Sequence, residues 1–202
     1  MAYTKKYVYY FEKPGPENTK DAIEIAIERA KELGIATIVV ASTEGSTGLL
    51  CTKAGVEAGI RVITVSHAVG FKGPGISELH DSVRQEIITA GGTVVTATHA
   101  LSGVERACLN SPKIGGGSRS DAISETLRRT IGIGVKVCVE CVLMTSDAGL
   151  LDMEKEVIAI AGTAEGADTV CVIHPSHSNA FFDLQVREIV AAPRKRDPMP
   201  KN

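Results

Sequence analysis

The chain has no tryptophan, and its aromatic residues are only four phenylalanines and four tyrosines, 4% of 202 residues. That scarcity excludes the stacked aromatic platforms that hold single-stranded nucleic acids. A charge excess is also missing: 22 Lys and Arg face 24 Asp and Glu, for a net charge of −2. Nothing in that balance attracts DNA or RNA, so no nucleic acid partner is expected. No apolar stretch approaches the roughly 20 residues that cross a bilayer, so no membrane partner is expected either. Met1-Ala2-Tyr3-Thr4-Lys5-Lys6 lacks the apolar core of an export signal, which makes the cytoplasm the expected compartment. No Ser-His-Asp order and no paired-carboxylate spacing stands out.

Cysteine is present but odd in number: Cys51, Cys108, Cys138, Cys141 and Cys171. Most sit in apolar or helical surroundings, which suits small buried residues in a reducing compartment rather than a disulfide framework. Cys138-x-x-Cys141 lies among Val137, Val139, Val142 and Leu143 and reads as packing. Zinc would need two further ligands, and no second C-x-x-C exists.

With 44% hydrophobic residues, the chain can build one large domain, expected over 1–193 with a loose tail at 194–202. Lys6 to Phe11 reads as a first strand, broken by Pro14, Gly15 and Pro16. Asn18 reads as an N-cap, and Ala22, Ile23, Ala26, Ile27, Ala30 and Leu33 recur at helical spacing until Gly34. Ile35–Ala41 is the next strand, followed by a turn and a helix to about Ala58. Ile60–Ser66 is a β-branched strand, followed by a Gly/Pro-rich loop from His67 to Gly75. Ser77 then reads as the start of a helix carrying Leu79, Val83, Ile87 and Ala90, and Thr93–Thr98 as another strand. This alternation predicts an α/β fold with a mainly parallel sheet flanked by helices.

Beyond it, His99–Asn110 reads as a short helix, and Ser118 with Asp121 as the start of a helix to about Thr130. Val135–Met144 is a central strand or a buried helix; the exit Ser146-Asp147-Ala148-Gly149 favours helix. Val157–Ala161, Thr169–His174 and Val186–Ala191 read as closing strands.

The turn Ser42-Thr43-Glu44-Gly45-Ser46-Thr47-Gly48 joins a strand to a helix with two glycines and four hydroxyl side chains. Free backbone N–H groups and the positive helix end converge there, which suits one anionic group. The turn matches neither the P-loop nor the dinucleotide fingerprint. Ser42, Thr43, Gly45, Ser46 and Thr47 are therefore candidate phosphate ligands. His67 and His99 each follow a predicted parallel strand, where ligands gather, and with Lys72 they are candidates for the same rim. Gly115-Gly116-Gly117-Ser118-Arg119 is a second possible cradle, with Arg119 able to fork onto a phosphate. Phe71 and Phe181-Phe182 are candidates for an apolar face, and Gly162–Gly166 for a loop across the cleft. Glu140 and Asp147 lie in or just after an apolar run, where a carboxylate needs a partner. His174-Pro175-Ser176-His177 with Asp183 is an alternative metal-holding group, and would make the protein a metal-dependent hydrolase.

The order of elements and the hydroxyl-rich turn resemble the C-terminal domain of pyruvate kinase, over about Asn18 to Ser66. The whole chain is still more similar to a stand-alone family labelled pyruvate kinase C-terminal-domain-like. Tyr10-Phe11-Glu12-Lys13-Pro14-Gly15-Pro16-Glu17-Asn18-Thr19, Leu101-Ser102-Gly103-Val104-Glu105-Arg106 and Gly115-Gly116-Gly117-Ser118-Arg119 carry that match. Lys136-Val137-Cys138-Val139-Glu140 through Asp147-Ala148-Gly149 extends it. The resemblance implies a three-layer architecture and a phosphorylated small-molecule ligand, with flavin mononucleotide (FMN) the leading candidate and a regulatory sugar phosphate the alternative. The kinase chemistry belongs to a barrel domain with no counterpart here, so kinase activity is not expected of this chain. Thr43 and Ser46 stand where kinase turns often carry basic residues, and Glu44 is acidic, which disfavours a bisphosphate. Paired copies are a common default for such domains.

Overall fold

The structure, a computed structural model, describes residues 3–195. Seven strands form one sheet in the order β1-β7-β6-β5-β2-β3-β4. They are β1 (Tyr9–Phe11), β2 (Thr37–Ala41), β3 (Arg61–Ser66), β4 (Thr93–Thr96), β5 (Val157–Ala161), β6 (Thr169–His174) and β7 (Gln185–Pro193). Four pairings are parallel (β1–β7, β2–β3, β2–β5, β3–β4), and β6 alone runs antiparallel to both its neighbours. The expected mainly parallel sheet is present.

Six helices cover it: α1 (Thr19–Leu33), α2 (Ser46–Glu57), α3 (Asp81–Thr89), α4 (Gly103–Asn110), α5 (Arg119–Thr130) and α6 (Ile133–Asp147). Alternate residues of each central strand feed opposite cores, as a pleated strand requires. Ile38, Val40, Val62, Ile158 and Ile160 pack with Ala22, Ala26, Ala30 and Cys51 of α1 and α2. Val39, Ile63, Val65 and Ala159 pack with Val135, Val139, Val142 and Leu143 of α6. Helices on both faces make the three layers. Val135–Met144 is helical and buried along most of its surface, because α6 is covered by the sheet on one side and α5 on another.

Several local readings need correction. Asn18 is not a side-chain cap for α1; its Nδ2 donates to the carbonyls of Lys13 (2.9 Å) and Gly15 (3.2 Å), fastening the loop before the helix. Ser77 does not open α3, which starts four residues later at Asp81, because the Ser77 hydroxyl donates to Leu79 O (2.9 Å) and holds an extra turn. Ser118 does cap α5, accepting from Asp121 N (3.0 Å). Of the expected tail, 196–202 lies outside the described residues, while Arg194 N donates to Phe11 O (2.8 Å) and so extends the pairing of β1 with the last strand. Among the described residues, no helix is long and apolar enough to cross a membrane.

Candidate functional site

The parallel strands β2, β3, β4 and β5 end at one edge of the sheet, and the direction of chain progression reverses between β5 and β2. Open α/β sheets place ligands outside such an edge. A cleft of about 930 Å³ lies there, at the upper end of the usual size for a small-molecule site. Its floor is the Ser42–Thr47 turn, and its walls come from the loops after β3, β4 and β5 and from α4, α5 and α6.

Gly45 sits in the left-handed region (φ 97°), which swings the chain from β2 into α2. A Cβ at Gly45 would stand 2.5 Å from Val83 and 2.7 Å from Leu79, so this glycine faces α3 and not the cleft. Ser46 begins α2. The first capping bond runs from Leu49 N to Gly45 O (2.8 Å), so the amides of Ser46, Thr47 and Gly48 have no partner inside the helix. Ser42 and Thr47 are each more than nine-tenths buried, yet both line the cleft. Neither side-chain hydroxyl has a hydrogen-bond partner among the described residues. Thr43 and Ser46 line the same floor.

The β3–α3 loop adds a linked set. A carboxylate only accepts, so His67 Nδ1–H donates to Glu78 Oε2 (2.8 Å), and Nε2 faces the Thr43 hydroxyl (3.4 Å). His99 Nε2 accepts from Ala68 N (3.3 Å), which leaves its proton on Nδ1. Burial lowers the pKa of His99 from the usual histidine range, although the Glu140 charge pulls the other way; His67, Lys136 and Arg106 reinforce the lowering. Phe71 packs against both imidazoles, 4.4 Å from His67 and 4.8 Å from His99 between ring centroids, while the imidazoles are 5.0 Å from each other and the Arg106 guanidinium is 4.8 Å from the Phe71 centroid. This cluster puts an apolar ring among three polar groups at the cleft.

The far wall carries cations absent from the turn. Arg106 of α4, Arg128 of α5 and Lys136 of α6 all line the cleft. Lys136 pairs with Glu140 (2.5 Å), whose other oxygen accepts from Leu101 N (2.9 Å). Ser124 is more than nine-tenths buried and shares this wall. The loop 162–166 closes the remaining side. It is held by Asp168, which accepts from Thr163 N (3.1 Å) and Gly15 N (3.3 Å).

Ser42, Thr43, Ser46, Thr47, His67 and His99 are thus brought together. Lys72 and Arg119 are exposed and outside the cleft, and Arg119 instead donates its backbone N to Glu105 (2.9 Å). Phe71 is in the cleft, whereas Phe181 and Phe182 meet edge to face elsewhere, 5.3 Å between ring centroids. Glu140 is in the cleft. Asp147 is not: it accepts from Ser178 N (3.0 Å) and His177 Nδ1 (3.3 Å). Among the described residues, no cluster of three or more His, Cys, Asp or Glu is placed to hold a metal ion. Cys138 and Cys141 are buried in α6, and all five cysteines are free thiols.

Arg106, Arg128, Lys136, Ser124 and Glu78 escaped the reading of the sequence. The one signal was spacing: Ser120, Ser124 and Arg128 recur every four residues, as Lys136 and Glu140 do inside an apolar run.

The floor offers hydroxyls and free amides that can donate hydrogen bonds, and Phe71 adds an apolar ring at the edge of the cleft. The sequence profile of the family described as "Pyruvate kinase, alpha/beta domain" matches residues 20–173, well over half of the chain. A solved structure titled "Crystal structure of O-ureido-L-serine synthase" is 16% identical, with a TM-score of 0.30. That alignment covers 56% of this chain and 30% of the synthase, so the chain spans under a third of the synthase's length.

Proposed function

Since the chain belongs to the pyruvate kinase alpha/beta-domain family, we propose that its cleft binds a phosphorylated small molecule, with FMN the leading ligand. The supporting observation is the floor itself, where the side chains of Ser42 and Thr47 line the cleft with no hydrogen-bond partner among the described residues, beside the free amides at the start of α2. Each hydroxyl keeps contact with solvent and can donate to a phosphate oxygen. Each charge-assisted bond adds about 1.5–3 kcal/mol. Four or five of them, with the free amides of α2, cover the roughly 8 kcal/mol of micromolar affinity before entropic costs.

Arg106, Arg128 and Lys136 favour a second reading, a regulatory module for a sugar phosphate carrying a further anionic group. The sequence argued against a bisphosphate because the turn holds no cation; the cations come instead from α4, α5 and α6. The absorbance spectrum and mass of the purified protein's small-molecule content separate the two. A yellow protein releasing FMN supports the first reading, and a colourless one with a non-flavin phosphate supports the second. Calorimetric titration with FMN and with inorganic phosphate then tests the floor. Ser42→Ala with Thr47→Val is expected to weaken both by about tenfold or more. Unchanged affinity in that double variant sinks the assignment of the floor.

A further inference from the structure

The dyad formed by His67 and Glu78 does more than a ligand seat needs. An imidazole that merely lines a pocket has no requirement for a carboxylate behind it. Here Glu78, mostly buried, fixes the proton on Nδ1 at 2.8 Å, and the ring is wedged against Phe71 and His99. In the neutral ring this leaves the lone pair on Nε2, which faces the floor of the cleft and bonds there to the Thr43 hydroxyl at 3.4 Å. A lone pair aimed at a phosphate seat, on a ring whose far nitrogen is braced by a negative charge, is the arrangement of an activated nucleophile.

We propose that His67 is a phosphoryl acceptor, and that the cleft hydrolyses phosphate monoesters through a phosphohistidine. This rests on the floor being a phosphate seat. In the first step Nε2 attacks phosphorus; the P–N bond forms as the ester P–O bond breaks, and the electron pair leaves on the alcohol oxygen. That alkoxide takes a proton from a cleft water. The hydroxide so formed attacks phosphorus, breaks the P–N bond and returns the lone pair to Nε2, so one water is consumed per ester. While phosphorylated on Nε2 and protonated on Nδ1, the His67 ring is a cation. Glu78 faces that cation directly, so it stabilises the charge that develops during transfer. The free amides at the start of α2 and the hydroxyls of Ser42 and Thr47 hold the phosphoryl oxygens throughout.

The test uses phosphoramidate as a small phosphoryl donor and p-nitrophenyl phosphate as a monoester, with inorganic phosphate binding measured in parallel by calorimetry. Wild-type protein is expected to gain one phosphoryl group by intact mass, acid-labile and mapped to His67, and to release p-nitrophenol from the monoester. His67→Asn, which keeps a donor toward Glu78, is expected to lose the label and the release while binding inorganic phosphate. Glu78→Gln is expected to slow labelling by about tenfold or more, since the braced proton and the compensating charge are both weakened. Melting curves of both variants report whether they fold. A wild-type protein that binds inorganic phosphate but takes no label and leaves p-nitrophenyl phosphate intact overturns the transfer and leaves the seat standing. An acid-stable label on Thr43 overturns it as well. Labelling of His67 without measurable phosphate binding supports the transfer and removes the high-affinity seat. Absence of both overturns both.

Discussion

Lys136 and Glu140 lie one turn apart on α6, both more than nine-tenths buried, with the ammonium against one carboxylate oxygen and Leu101 N against the other. The carboxylate thus ties α6 to the loop leading into α4, and the pair forms part of the cleft wall. Removing one member leaves the other as an uncompensated buried charge. Lys136→Met is expected to cost about 3–5 kcal/mol in chemical denaturation. The double variant Lys136→Met with Glu140→Gln is expected to recover part of that loss, and a double variant no more stable than the single one counts against the pair.

Gly48 and Thr64 set how closely α2 lies on the sheet. A Cβ at Gly48 would sit 2.4 Å from the Thr64 methyl, and the Thr64 hydroxyl is buried without a partner among the described residues. Gly48→Ala is expected to destabilise by about 1–3 kcal/mol through overpacking. Thr64→Ala opens the needed space, so the two changes together are expected to cost less than the sum of their separate costs. Strict additivity in a denaturation cycle refutes the contact.

Gly45 makes a poor probe of ligand approach, because its missing side chain faces Val83 and Leu79. Gly45→Val is expected to lower the melting temperature with or without ligand, through both the clash and the φ of 97°. A variant that melts like the wild type and loses only ligand affinity shows that the glycine serves the cleft instead.

Stability on the acid side depends on His99. Its imidazolium is disfavoured in the folded protein, chiefly by burial. The unfolded chain therefore binds the extra proton first, and folding loses free energy as pH falls below about 6.5 toward the depressed folded value. The melting temperature is expected to rise between pH 5 and pH 7. His99→Gln, which still accepts from Ala68 N, is expected to flatten that rise, and an equally steep curve in the variant rules His99 out.

Burial pushes the Cys51 thiol up to about 12 and does the same for Cys141, while Cys138 is raised by burial and by its contact with Cys171. Cys108 is only partly buried. A thiol-disulfide reagent is expected to titrate one cysteine in native protein and five under denaturant. Rapid reaction of two or more native thiols contradicts the packing of α6.

The strands and most helices were legible in the sequence because β-branched runs and three-to-four spacing act locally. The floor was legible for the same reason: Ser42 to Gly48 is one continuous turn. The far wall was not, since Arg106, Arg128 and Lys136 come from three helices whose polar residues look like ordinary solvated faces. Lys72 and Arg119 were chosen as nearby cations in glycine-rich loops, but chain proximity placed neither in the cleft. Glu78 hid in a segment read as helical. Its role depends on the turn that Ser77 holds before α3, a hydrogen bond with no periodic signature.

The register of β1 against β7 places Tyr9 opposite Ala191. During synthesis the first strand emerges long before its partner β7 exists. It must wait while β2 to β6 assemble the sheet and pairs last, after the C-terminal strand is released. Closure of the sheet edge is therefore a late, long-range event that slows folding, as contacts distant in sequence do. Because that pairing is parallel, the chain enters β1 at one end of the strand pair and leaves β7 at the other, so a linker joining the two ends has to run the length of the pair.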